Sequence, residues 1–290
     1  MPPVTTLVLD TDIGSDVDDV LALAAILGSP ELELTGVTTV YGDVLLRARM
    51  VARLARVAGR TVGPVVPGRA EARSGRAVWW AGHEGALMPD LQQEQVDTAV
   101  DPIELLAGSS TVLAIGPLTN LADAVERPGH GISQIALMGG QFVTEKVEHN
   151  IKCDIDAAAA VFGSGVPVTA IGLEQTKRLR LGAAEVAEIE AAGALGELLG
   201  REIRQYWKYR EADFNTPHDP AAVLMMVEPD LFTFTTGHVE VAADGRTHLT
   251  PDPTGPHRIV TDLNPTEIAR RIVARIIAAG GVAIGNSAGE

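Results

Sequence analysis

Apolar positions recur along this chain with two alternating periods. Short β-branched runs at Val4–Leu9, Leu34–Thr39, Val112–Ile115, Gln134–Met138 and Val168–Ile171 read as strands. Helical spacing fills the gaps. Asp19–Leu27 puts Val20, Leu23, Ala24 and Leu27 on one face, and Val44–Ala58, Pro102–Leu106, Leu118–Val125 and Ala157–Phe162 follow the same rule. Within Thr266–Ile277, Ile268, Ile272 and Ile276 recur at a spacing of four. This alternation predicts an α/β fold in one domain over residues 1–290, with a mostly parallel, open, Rossmann-like sheet and helices on both faces. Such sheets take ligands outside the carboxyl ends of their strands. Arg69–Asp97 lacks periodicity and carries Trp79, Trp80 and His83, so it reads as a long functional loop or lid. Thr236–His257 reads as an irregular hairpin, and residues 279–290 are small and polar enough to fray.

Bulk properties narrow the partners. Hydrophobic residues make up 46% of 290 positions but aromatics only 4%, so the core must be aliphatic. Mean hydropathy is +0.15, that of a well-cored soluble chain. The net charge of −15 argues against nucleic acid and anionic membrane as partners. The single Cys153 rules out an intrachain disulfide and suits a reducing compartment. There is neither a basic segment leading into a short apolar one nor a run of eighteen apolar residues, so a cytoplasmic location is expected.

The chemistry concentrates at the end of the first strand. Asp10, Asp12, Asp16, Asp18 and Asp19 crowd into D-T-D-I-G-S-D-V-D-D. One or two of them could cap the following helix and offset its dipole. Five would repel one another unless a cation sits among them. Hard divalent ions such as Ca²⁺ take all-oxygen shells, so the run reads as half of a metal site.

Five further pieces follow in order: V-T-T-V-Y-G-D (37–43), A-I-G-P-L-T-N-L-A (114–122), M-G-G (138–140), E-H-N-I-K-C-D-I-D-A-A (148–158) and T-P-H-D-P (216–220). Together with the acidic run they resemble the inosine–uridine-preferring nucleoside hydrolase family over nearly the whole chain. The family's signature, D-x-D-x-G-x-D-D, is lengthened here by two residues after Gly14.

The resemblance implies a nucleoside hydrolase-like fold and a Ca²⁺ cofactor. Its ligands would be the side chains of Asp12, Asp19 and Asp219 and the carbonyl of Ile115. Asp12 would also deprotonate a metal-bound water, and His218 would protonate the departing base. Asp18 would hold ribose hydroxyls with Asp10 behind it, while Asp16 either replaces Asp18 or faces solvent. Glu148 and Asn150 match the family's E-x-N pair, which holds the sugar. The family's additional asparagine upstream of that pair has no counterpart. Tyr206 and Arg210 fall where the family has a mobile helix above the base, and His83 loosely matches a second histidine. Asp43 replaces an asparagine and could bind the metal, raise a neighbour's pKa or alter sugar selection. Asp219 could equally cap the helix Pro220–Val227, and Asn120 reads as a brace of the Pro117–Asn120 turn. Trp79, Trp80 and Trp207 could stack on a base or pack in a core.

The expected function is therefore Ca²⁺-dependent hydrolysis of the N-glycosidic bond of a ribonucleoside to ribose and free base, by direct attack of a metal-bound water with inversion, in a homodimer or homotetramer. Two rivals stand beside it. A haloacid dehalogenase-type phosphatase would also start D-x-D, but Gly14 and the missing distal acidic motif oppose it. A Ca²⁺-dependent nucleoside- or ribose-binding protein with little turnover fits the altered loops.

Overall fold

The first apolar run is a central strand because it is buried from both sides. In the computed structural model, which describes residues 4–280, β1 (Thr5–Thr11) outlasts its apolar pattern and carries Asp10 and Thr11 within the strand. The chain continues through α1 (Asp18–Leu27), β2 (Leu32–Thr39), α2 (Val44–Val57), β3 (Val65–Pro67), α3 (Pro102–Ala107), β4 (Thr111–Ala114), α4 (Thr119–Val125) and β5 (Gln134–Met138). Then come α5 (His149–Cys153), α6 (Ile155–Gly163), β6 (Val168–Ile171), α7 (Leu173–Thr176), α8 (Ala183–Glu190), α9 (Gly193–Arg210) and α10 (His218–Val227). The hairpin β7 (Phe232–Val241) and β8 (Thr247–Pro251), β9 (His257–Leu263) and α11 (Pro265–Gly280) complete it.

The strands form one sheet in the order β3-β2-β1-β4-β5-β6-β9-β7-β8. It is parallel from β3 to β9, and β7 runs antiparallel to both β9 and β8. The expected hairpin thus supplies two strands, β7 and β8, of a three-strand extension of the sheet. Helices cover both faces. Leu21, Leu23, Leu199, Leu224, Ile268 and Ile272 join one aliphatic cluster, and Leu106, Leu121, Ala158 and Val161 join another across the sheet. Burying each such leucine is worth roughly 1.5–3 kcal/mol.

Two elements the periodicity did not predict bear on the site. Helices α8 and α9 pack so closely that a Cβ on Gly196 would stand 2.0 Å from the Ile189 carbonyl, so the glycines that mask the helical pattern are what the packing requires. Helix α11 reaches Gly280 with Ala279 buried, so residues 279 and 280 do not fray, and 281–290 lie outside the described residues. The segment 69–97 has only a single 3-10 turn, at Leu91–Gln93.

The strand order reverses between β1 and β4. A crevice opens there at the carboxyl ends, the usual ligand position of a doubly wound sheet. Asp12 and Ile115 are the residues that step into it.

Candidate active site

Backbone and helix geometry bring the carboxylates together. Thr11 Oγ1 donates to Asp19 Oδ1 at 2.5 Å and accepts from Ile13 N at 3.1 Å, folding the turn back onto the strand end. Val17 is the residue before α1 and no side chain caps that helix, so Asp18 and Asp19 lie inside its first turn rather than capping it. Asp219 likewise lies in the first turn of α10, behind Pro217, and caps nothing. One carboxylate oxygen from each of Asp18, Asp19 and Asp219 falls within 4.8 Å of the others. All three are buried, and burial first, then repulsion from neighbouring aspartates, Asp12 and Asp16 among them, pushes their pKa values well above the usual carboxylate range. A crowded, desolvated, all-oxygen donor set fits a hard divalent cation.

Asp12 stands beside this trio rather than within it. Burial raises its pKa, and the Arg47 guanidinium opposes that rise. Its carboxylate passes so near Gly116 that a Cβ there would meet Oδ1 at 2.8 Å. Behind it, Asp10 Oδ1 accepts from Thr38 Oγ1 at 2.7 Å and Asn120 Nδ2 at 2.8 Å. Asp10 Oδ2 is buried without a partner, and burial pushes this carboxyl up to about 7. Asn120 does more than brace its own turn. Its amide bonds Asp10, the Thr39 carbonyl at 3.1 Å and the Arg69 N–H at 2.8 Å, joining β1, β2 and the long loop.

Asp12, Asp16, Asp18, Asp19, Ile115, Glu148, Asn150, Tyr206, Arg210, His218 and Asp219 line one cleft with a cavity of about 230 Å³. Glu148 is also the N-cap of α5 and accepts backbone N–H groups from Asn150, Ile151 and Gly140 at 2.9, 3.1 and 3.2 Å. Asn150 Nδ2 donates to the Ile115 carbonyl at 3.0 Å, which leaves that oxygen its second lone pair. His218 Nδ1 is 2.7 Å from Thr176 Oγ1, and burial, with Lys177 and Arg210 adding to it, pushes its pKa down to about 4. Asp16 does not face open solvent: it is half-buried, lines the cleft and accepts from the Tyr206 hydroxyl.

Other expected site residues lie elsewhere. Asp43 is exposed and caps α2, accepting from Leu46 N at 2.9 Å, because its strand-to-helix position turns the side chain outward. His83 packs on Tyr209 with ring centroids 4.6 Å apart and borders a small void next to the cleft. Trp80 lies over Arg47, and Trp207 is buried with its indole N–H donating to Asn215, so only Trp79 of the three reaches the cleft. The sequence reading missed His149, Tyr209, Ser15 and Arg47. His149 lines the cleft edge-on to Trp79, with centroids 5.7 Å apart. A signal for Arg47 existed: it shares the apolar face of α2 with Met50, Val51 and Leu54.

A doubly wound α/β sheet with a buried acidic cluster at its switch point defines a metal-dependent hydrolase type of site. The sequence profile described as inosine-uridine preferring nucleoside hydrolase matches residues 7–270. The chain belongs to that family and is an N-glycosyl hydrolase of the nucleoside hydrolase class. It is 32% identical over 266 residues to uridine nucleosidase 1 of Arabidopsis thaliana, covering 82% of this chain and 79% of that one. It is 30% identical over 258 residues to the non-specific ribonucleoside hydrolase RihC of Klebsiella pneumoniae, covering 82% and 84%. A purine-preferring ribonucleoside hydrolase from Gardnerella vaginalis superposes with a TM-score of 0.82 at 26% identity, covering 96% of this chain and 100% of that one. No helix among the described residues is long and apolar enough to cross a membrane.

Proposed function

We propose that this chain hydrolyses the N-glycosidic bond of ribonucleosides, releasing ribose and free base with inversion, and that its cation is Ca²⁺. The observation that carries the reading is the buried meeting of Asp18, Asp19 and Asp219, two hundred residues apart in sequence, at the floor of a cleft. Asp12, Asp19, Asp219 and the Ile115 carbonyl are the expected cation ligands, and Asp18 joins them. The ion when bound supplies Lewis-acid polarisation of a water and of the sugar hydroxyls.

The chain's own groups do the rest. Asp12 accepts the proton of the attacking water. Asp10, held by Thr38 and Asn120, fixes the strand end from behind. Asp16 faces the ribose hydroxyls with Glu148 and Asn150, giving a polyol carboxylate and amide oxygens that accept its O–H groups. Positive charge that develops on the sugar as the bond breaks is stabilised by this carboxylate floor. His218, Tyr206 and Arg210 stand on the base side, where His218 exchanges a proton or hydrogen bond with the leaving nitrogen. Attack comes from the face opposite the base.

A panel of purine and pyrimidine ribonucleosides, assayed for reducing sugar with calcium or chelator, tests this. Calcium-dependent release of ribose from at least one of them supports hydrolysis. Binding of nucleosides with no release from any would favour a calcium-dependent binding protein.

A further inference from the structure

Arg47 is fully buried and is the largest such side chain among the described residues, yet the hydrolysis above makes no use of it. Its Nε donates to the Tyr41 carbonyl at 2.7 Å. Its Nη1 donates to the carbonyl of Asp12 and, at 2.7 Å, to that of Ile13. Its Nη2 donates to Ser15 Oγ at 3.1 Å, and the Trp80 ring lies 4.8 Å from the guanidinium carbon. Ser15 passes the interaction on, donating to Glu84 Oε1 at 2.7 Å. Glu84 in turn accepts the N–H groups of Ala81 at 2.9 Å and Gly82 at 2.7 Å, just after the tryptophans.

A strut thus runs from α2 through the acidic turn to the wall that carries Trp79. Burying an arginine costs several kcal/mol unless its N–H groups are matched. Here the planar fork is matched to three backbone carbonyls, two of them in the turn itself, and to the Ser15 hydroxyl. A rigid fork fixes directions in a way a lysine ammonium does not.

We propose that Arg47, acting through Ser15 and Glu84, is a positioning residue: the strut fixes the backbone of the acidic turn, and so the aim of the Asp12 carboxylate, relative to the Trp79 wall. The inference rests on the reading of the acidic cluster as a cation site. A guanidinium acting by charge alone has the opposite sign, because removing a nearby positive charge tightens binding of a divalent cation.

The test is calorimetric titration of calcium chloride into chelator-treated full-length wild type, Ser15→Ala, Glu84→Gln, their double variant and Arg47→Met, with melting temperatures recorded in chelator. Ser15→Ala removes one hydroxyl, and its melting temperature should stay within a few degrees of wild type. Its calcium affinity should fall by about tenfold or more, the usual cost of losing support behind a ligand. The double variant should bind no more weakly than the worse single one, since both cut the same strut. Arg47→Met should lose at least as much, and if it fails to fold the strut variants decide alone. Unchanged or tighter calcium binding in Ser15→Ala, or fully additive losses in the double variant, overturns the proposal. A wild type that binds no calcium overturns the cation site first. Binding by wild type without ribose release overturns the hydrolysis and leaves the strut intact.

Discussion

The Tyr206 hydroxyl donates to the Asp16 carboxylate, a contact across 190 residues of sequence. It ties the last turns of α9 to the acidic turn across the cleft. The Asp16 carboxylate is therefore held in place beside the aspartate cluster, and the helix that carries Tyr209 and Arg210 is held down with it. Tyr206→Phe deletes one hydrogen bond to a charged group, worth about 1.5–3 kcal/mol. The expected result is a loss of about tenfold or more in kcat/KM for the best nucleoside, with calcium affinity kept. Steady-state kinetics beside a calcium titration check it.

Asp12→Ala should cut ribose release by about a thousandfold, within the range a positioned base contributes. The fold should survive, because the substitution removes a buried carboxylate that burial already disfavours. Turnover and a thermal melt in chelator, taken on the same preparation, check both halves. Full turnover would remove Asp12 from the chemistry.

Calcium should stabilise the chain as well as activate it. At an ion concentration a hundred times its dissociation constant the gain is about 2.7 kcal/mol. For a chain of this size that raises the melting temperature by about 5–10 °C. Melting curves with and without chelator read it, and identical curves would count against the site.

Glu202 offers a prediction away from the cation. It is buried on α9, its Oε1 has no partner, and burial pushes its carboxyl up to about 7. The folded chain therefore holds a proton there that the unfolded chain has released between about pH 4.5 and 7. Its contribution to stability is neutral below that window, falls as pH rises through it, and stays unfavourable above. Glu202→Gln should accordingly stabilise the chain by about 3 kcal/mol at pH 8 and by little at pH 4.5. Urea unfolding at the two pH values compares them.

What was legible in the sequence follows from locality. Strands β5 and β6 match the apolar runs residue for residue, since both faces of a parallel strand are buried and the run carries its own boundary. Strand β3 is three residues long, too short for any period, and the glycines of α9 hid a helix that close packing demands. The acidic turn was conspicuous because a like-charge cluster at a strand end has no stabilising use without a counter-ion. Which aspartate does what depends on the turn's path, so Asp18 beside Asp219 was not foreseeable from spacing. From sequence Asn120 reads only as a local brace, because its main partners, Asp10 and Thr39, lie 110 and 81 residues away. Arg47 was lost among Arg49, Arg53 and Arg56, the other basic residues of the same helix.

The most direct test of the central claim is a calorimetric titration of calcium chloride into chelator-treated full-length chain, with Asp219→Asn alongside. One ion per chain bound by the wild type, with affinity lost by about a hundredfold in the variant, is the predicted result. Equal binding in both proteins, or none in the wild type, would contradict a cation held between the acidic turn and α10.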